Sequence, residues 1–136
     1  MKIFICASKY NYDKIPPIKE ALEKRGHKIT LPNSYDDPFR EEKLKKKGRK
    51  HHIEFKTKML REQEKKVKAN NAILVLNYEK HGQPNYIGGA TFLEIFKAFE
   101  LGKKIFLINP IPDNIFTDEL RGINPIIING NLSKIR

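Results

Sequence analysis

Residues Asn85–Ile105 read NYIGGATFLEIFKAFELGKKI. Two glycines and a threonine lead into a helix that is apolar around one early carboxylate, Glu94, and Gly102 stops it as a C′ glycine does. KIFLINP follows at once, an apolar run of strand length. Before the glycine loop stands AILVLN (Ala72–Asn77), a second continuous apolar run. Runs of this kind, apolar throughout rather than alternating, belong to strands covered on both faces, as in a parallel sheet.

The pattern repeats on either side. KIFICAS (Lys2–Ser8) reads as a central strand. IPPIKEALEKRGHKI is a helix with proline in its first turn, carried by Ile15, Ile18 and Leu22 and ended by Gly26, and HKITLP is the next strand. Asn33–Lys50 reads as a loop, partly helical. His51–Lys68 reads as a helix with a ragged apolar face of Ile53, Phe55, Met59, Leu60 and Val67. Asp113–Gly122 holds a short helix, and NPIIING is a last short strand. Strands alternating with helices predict an α/β fold: a flavodoxin-like (Rossmann-like), doubly wound, five-stranded parallel sheet of order 2-1-3-4-5 in three α/β/α layers. The 136 residues suit one domain, 1–136, with a basic segment at about 36–68 inside it.

Composition narrows the classes. A hydrophobic content of 39% is too high for a disordered chain. A charged fraction of 32%, no Trp and only two Gln resemble proteins of hot, AT-rich organisms, hence the expectation of a thermophile. Cys6 is the single cysteine, which excludes an intramolecular disulfide and a cysteine metal cage. No leader and no apolar run of membrane-spanning length is evident, so a cytoplasmic protein with no membrane partner is expected. Net charge is +11, and Arg40–Lys68 concentrates it, with thirteen Lys/Arg against five Glu. Such a block attracts phosphate or solvates a helix face. Phe55 is its one aromatic residue, which speaks against single-strand nucleic acid as a partner. His51 and His52 are adjacent and point apart on a helix, so no metal pair is expected.

Ligands of doubly wound sheets bind beyond the carboxyl ends of the strands at the switch point, here between strands one and three. The loops that meet there carry Ser8, followed by Tyr10 and Tyr12, and Tyr86 with Gly88 and Gly89. Helix N-termini favour an anion, and the two glycines allow close approach of backbone to ligand. Thr91 either caps its helix or binds the ligand. Asn77, at the end of its strand, and Tyr86, before the glycines, are further candidate ligand contacts. Glu94 either complements the helix dipole or, set among Phe92, Leu93, Ile95 and Phe96, is tuned as a nucleophile or base.

Three stretches resemble the nucleoside 2-deoxyribosyltransferases and the related deoxynucleoside 5′-monophosphate N-glycosidases: IFICAS, KANNAILVLN and GGATFLEIFKAFELGKKIFLIN. The resemblance implies that Glu94 is the catalytic nucleophile, forming a covalent glycosyl–enzyme intermediate. It implies that Ser8 holds the sugar or its 5′ substituent, and that Tyr10 or Tyr12 supplies an aromatic hydroxyl near the nucleophile. The sequence departs from the pattern at Asn71, where relatives have an aspartate, and at Gly88–Gly89, where transferases often carry one. It also departs among Glu62, Gln63 and Glu64, where a second carboxylate is expected. The expected ligand is a nucleoside or nucleotide, with no cofactor or metal. A homo-oligomer, a dimer at least, is expected from the surplus of Phe92, Phe96 and Phe99 on one helix. The other reading is a non-catalytic nucleotide-binding module of the same fold.

Overall fold

A computed structural model describes residues 1–136. Five strands, β1 (Lys2–Cys6), β2 (Lys28–Thr30), β3 (Ala72–Val75), β4 (Lys104–Leu107) and β5 (Ile126–Ile127), form one sheet. The order is β2-β1-β3-β4-β5 and every pairing is parallel. This is the flavodoxin-like doubly wound arrangement expected from the apolar runs. Register is set by pairs such as Phe4 with Ile73 and Ile73 with Ile105.

Side chains alternate along each strand, so the unbroken apolar runs feed two cores at once. Ile3, Ile5, Leu74 and Phe106 meet Ile15, Ile18 and Leu22 of α1 (Ile15–Lys24) on one face. Phe4, Ile73, Val75 and Leu107 meet Val67 of α3 (Arg49–Ala69), Ile95 and Ala98 of α4 (Gly89–Glu100) and Leu120 of α5 (Thr117–Ile123) on the other. α1 has proline at its first positions and ends before Gly26, whose φ of +89° only glycine adopts without strain.

The segment read as a partly helical loop contains α2 (Arg40–Lys47), two turns with no buried residue. Gly48, at φ +126° and ψ 164°, breaks the chain between α2 and α3. The positive charge of this segment is that of solvated helix faces, laced by pairs such as Lys58–Glu62 and Lys68–Glu64. No helix is long and apolar enough to cross a membrane.

Candidate active site

The carboxyl ends of β1 and β3 open into a cavity of about 400 Å³. It is bounded by the loop after β1, the glycine loop before α4, and the α2–α3 segment. Ser8, Tyr10, Tyr12, Tyr86, Gly88, Gly89, Thr91 and Glu94, scattered over most of the sequence, all line it. The parallel topology does this, because it delivers the β1 and β3 loops to the same end of adjacent strands.

Glu94 is buried, at 8% exposure. Burial pushes its carboxyl up to about 8, against the opposing pull of the Cys6 thiol and the Lys66 ammonium. Cys6 is itself raised well above the usual thiol value, by burial first and then by the Glu94 charge. No ion pair engages Glu94. A carboxylate that only complemented the helix dipole would be solvated, and this one is not.

α4 begins without a side-chain cap. Its first bond runs from the Phe92 N–H to the Gly88 carbonyl, 2.9 Å, so the N–H groups of Gly89, Ala90 and Thr91 precede the hydrogen-bonded ladder. Thr91 therefore does not cap the helix. Gly88 and Gly89 differ in what they permit. A Cβ on Gly88 would lie 3.0 Å from the Tyr86 hydroxyl, so the missing side chain makes room for that ring, whereas Gly89 faces open space.

The two tyrosines after β1 separate clearly. Tyr12 is largely buried and its hydroxyl donates to the Asn33 carbonyl at 3.0 Å. Burial, and then the Glu94 charge, push its hydroxyl up to about 12. Tyr12 is thus the deeper of the two phenols, its hydroxyl already engaged by backbone. Tyr10 is half-exposed at the rim, edge-on to Phe39 and His81.

Asn77 corrects the expectation of a ligand contact. It is fully buried and does not line the cavity. Its Nδ2 donates to the carbonyls of Asn109 and Pro110, both at 3.0 Å, and its Oδ1 accepts from the Asn109 N–H. Asn109 Nδ2 returns a bond to the Asn77 carbonyl at 3.2 Å. The pair clamps the ends of β3 and β4. Asn77→Leu is expected to cost roughly 2 kcal/mol in urea denaturation through lost buried hydrogen bonds, with nucleotide affinity unchanged. A loss of affinity at unchanged stability would return Asn77 to the site.

Several lining residues carried no sequence signal. At the place where a second acid was sought on α3, Gln63 enters the cavity and donates to the Ala90 carbonyl at 3.2 Å. Glu62 and Glu64 instead pair with Lys58 and Lys68. The carboxylates that reach the cavity besides Glu94, namely Glu41 and Glu42, come from α2. Glu41 is held by His52 at 2.8 Å and Lys56 at 3.4 Å, and although burial would raise its carboxyl, these partners hold it below the usual value. Lys9, Lys45, Lys56 and Lys80 surround them. Lys9 is lowered by burial, an effect opposed by Glu41 and reinforced by the other three ammonium groups. Lys80 lies over the rings of Tyr86 and Tyr10, at 4.7 and 5.0 Å.

Two buried side-chain polar atoms lack a hydrogen-bond partner, Asn33 Oδ1 and Glu42 Oε2. Both residues line this cavity. Buried acceptors are rarely left unpaired, so each marks a point where the free cavity is incompletely satisfied.

The fold is shared with the CMP N-glycosidase BcmB of Clostridium botulinum. The TM-score is 0.52 at 16% identity, over 95% of this chain and 90% of that one. At that identity the likeness is one of fold, and it agrees with the fold implied by the three resembling stretches. No protein-family model matches the sequence, and no curated protein matches it. The chemistry must therefore be argued from the cavity itself. What the cavity offers is one buried ionisable carboxyl, free helix N–H groups, a half-buried phenol, unpaired acceptors and a cationic wall.

Proposed function

We propose that the chain is an N-glycosidase or deoxyribosyltransferase-like enzyme acting on a nucleoside or nucleoside 5′-monophosphate, with Glu94 as nucleophile. The observation that carries the reading is the buried Glu94 carboxyl, raised to about 8, in the crevice beyond β1 and β3. In its ionised form the carboxylate attacks the anomeric carbon. The carbon–nitrogen bond breaks, its electron pair leaves with the base, and the base takes a proton from water or an acid in the cavity. Water then cleaves the glycosyl ester, or another base displaces it. Tyr12, its hydroxyl held by the Asn33 carbonyl, forms a wall of the sugar site. Ser8 and the N–H groups at the head of α4 take the sugar or its 5′ substituent. Asn33 Oδ1 accepts from a hydroxyl or amino group of the ligand, and Tyr86 stacks on the base. The likeness to a CMP N-glycosidase supports a nucleotide as ligand. The test is base release from a panel of ribo- and deoxynucleosides and their 5′-monophosphates.

A non-catalytic nucleotide-binding module is favoured by one observation, the amide of Gln63 at the place where a second acid would stand. Tight binding with no base release from any member of the panel would select it.

The reading includes assembly with a second copy. Phe92 lies inward, stacked on Phe116 with ring centroids 4.4 Å apart, so it is not part of the surplus. Leu93, Phe96 and Phe99 remain about half exposed on α4, beside an apolar groove lined by Leu60 and Val67 of α3. A second copy covering that stripe would bury α4 and seal the back of the Glu94 site, since Glu94 also borders the groove. Phe96→Glu is expected to convert a dimer to a monomer in light scattering. A wild type that is monomeric at all concentrations would remove assembly from the proposal.

A further inference from the structure

Of the two carboxylates that α2 places in the cavity, Glu41 has a full set of partners and Glu42 does not. Glu42 Oε1 pairs with the Lys9 ammonium, on the loop that follows β1, while Oε2 is buried with no partner. A carboxylate oxygen desolvated without a donor destabilises the arrangement that holds it. Lys9 is well covered, its side chain 18% exposed, and it also lies over the Phe39 ring at 5.4 Å. It is thus fixed in place, beside Ser8 and facing the same cavity as the head of α4. The Glu42 side chain is 42% exposed and sits on a two-turn helix with no buried residue, so its release to solvent disturbs no core. α2 itself stays tied to α3 through Glu41 with His52 and Lys56.

We propose that Lys9 is the anion subsite of this crevice and that Glu42 occupies it in the free chain, so that a phosphorylated ligand binds by exchanging places with the Glu42 carboxylate. The inference rests on the nucleotide reading above and deepens it, naming the 5′-monophosphate rather than the free nucleoside as the preferred ligand. Glu42 is a stand-in for the phosphate: it has the same charge sign and keeps Lys9 paired when the site is empty, and a neutral ligand leaves that pair in place. The exchange conserves ion pairing in the low-dielectric cavity, since one anion leaves Lys9 as another arrives. The ammonium groups of Lys45 and Lys80, which line the same wall, then face the second phosphate charge, while Lys56 stays paired with Glu41.

Binding calorimetry with cytidine 5′-monophosphate and cytidine, on the Glu94→Ala background to prevent turnover, tests this. Glu42→Gln is expected to tighten the monophosphate about tenfold, because the internal competitor is gone, and to leave cytidine unchanged. Lys9→Met is expected to weaken the monophosphate by a similar factor and to abolish the gain from Glu42→Gln when the two are combined. A Glu42→Gln protein that binds both ligands more weakly would overturn the exchange, since Glu42 would then be a direct contact. So would a neutral Glu42→Gln, or a charge preference lost in Lys80→Met and kept in Lys9→Met. In each of these cases a monophosphate that still binds leaves the nucleotide reading standing. Failure of any ribo- or deoxynucleotide to bind any variant, the wild type included, overturns that reading and the exchange with it.

Discussion

Glu94→Ala is expected to fold as the wild type does and to lose base release by at least about a thousandfold. The carboxyl is the one ionisable acid that is both buried and open to the crevice beyond β1 and β3. Without it no covalent glycosyl ester forms, and what remains is the binding energy of the cavity. Folding should survive, because Glu94 makes no ion pair and the residues beside it in the core, Ile95 and Ala98, are untouched. Far-UV circular dichroism checks the fold and chromatographic detection of free base checks the reaction. The same raised pKa gives the reaction a pH signature. The nucleophile must be ionised, so kcat/KM should rise with pH through about 8. Equal base release by wild type and variant would place the chemistry on another residue and sink the assignment.

Glu94→Gln should behave oppositely in stability. The carboxyl titrates near 4.5 when solvated and at about 8 in the folded protein. The folded state therefore holds the proton more tightly than the unfolded state. Wild-type stability falls as pH rises through the window from about 4.5 to about 8, at roughly 1.4 kcal/mol per pH unit within it. Below that window both states are protonated and Glu94 costs nothing. Above it the full penalty, on the order of several kcal/mol, is present. Glutamine has nearly the same shape and no charge, so Glu94→Gln should equal the wild type near pH 4 and exceed it clearly at pH 9. Urea midpoints across that range make the comparison. Parallel curves for the two proteins would mean that the carboxyl is better solvated than its burial indicates. A protein that retains a destabilising group in this position is consistent with a group kept for function rather than for the fold.

The sheet was legible because its signal is local. KIFIC, AILV and KIFL are apolar throughout, and only strands that present alternate residues to two cores need such runs. Glycine stops at 26 and 102, both with positive φ in the structure, fixed where helices end and hence how many βα units the chain holds. Given that count, parallel topology places the β1 and β3 loops together, so Ser8, Gly88–Gly89 and Glu94 were assignable to one crevice from residue order alone.

The rest depended on approach in space. Which of Tyr10 and Tyr12 turns inward is a matter of two residues in a 3₁₀ turn, Lys9–Lys14, whose direction no periodicity specifies. Asn77 had the right strand position for a ligand contact, yet its amide is spent on Asn109 and Pro110, and that follows only from β4 lying beside β3. The largest omission was α2. In the sequence REEKLKKK is a run of charge with no apolar face, which marks solvent and carries no direction. The fold lays it over the crevice and brings Glu41 and Glu42 among the cavity lysines. Sequence alone determined the sheet and its order and singled out Glu94 as a candidate, because apolar periodicity and glycine stops act over a few residues. Tertiary structure alone decided what surrounds that carboxylate, because desolvation and ion pairing depend on which distant segments close over it.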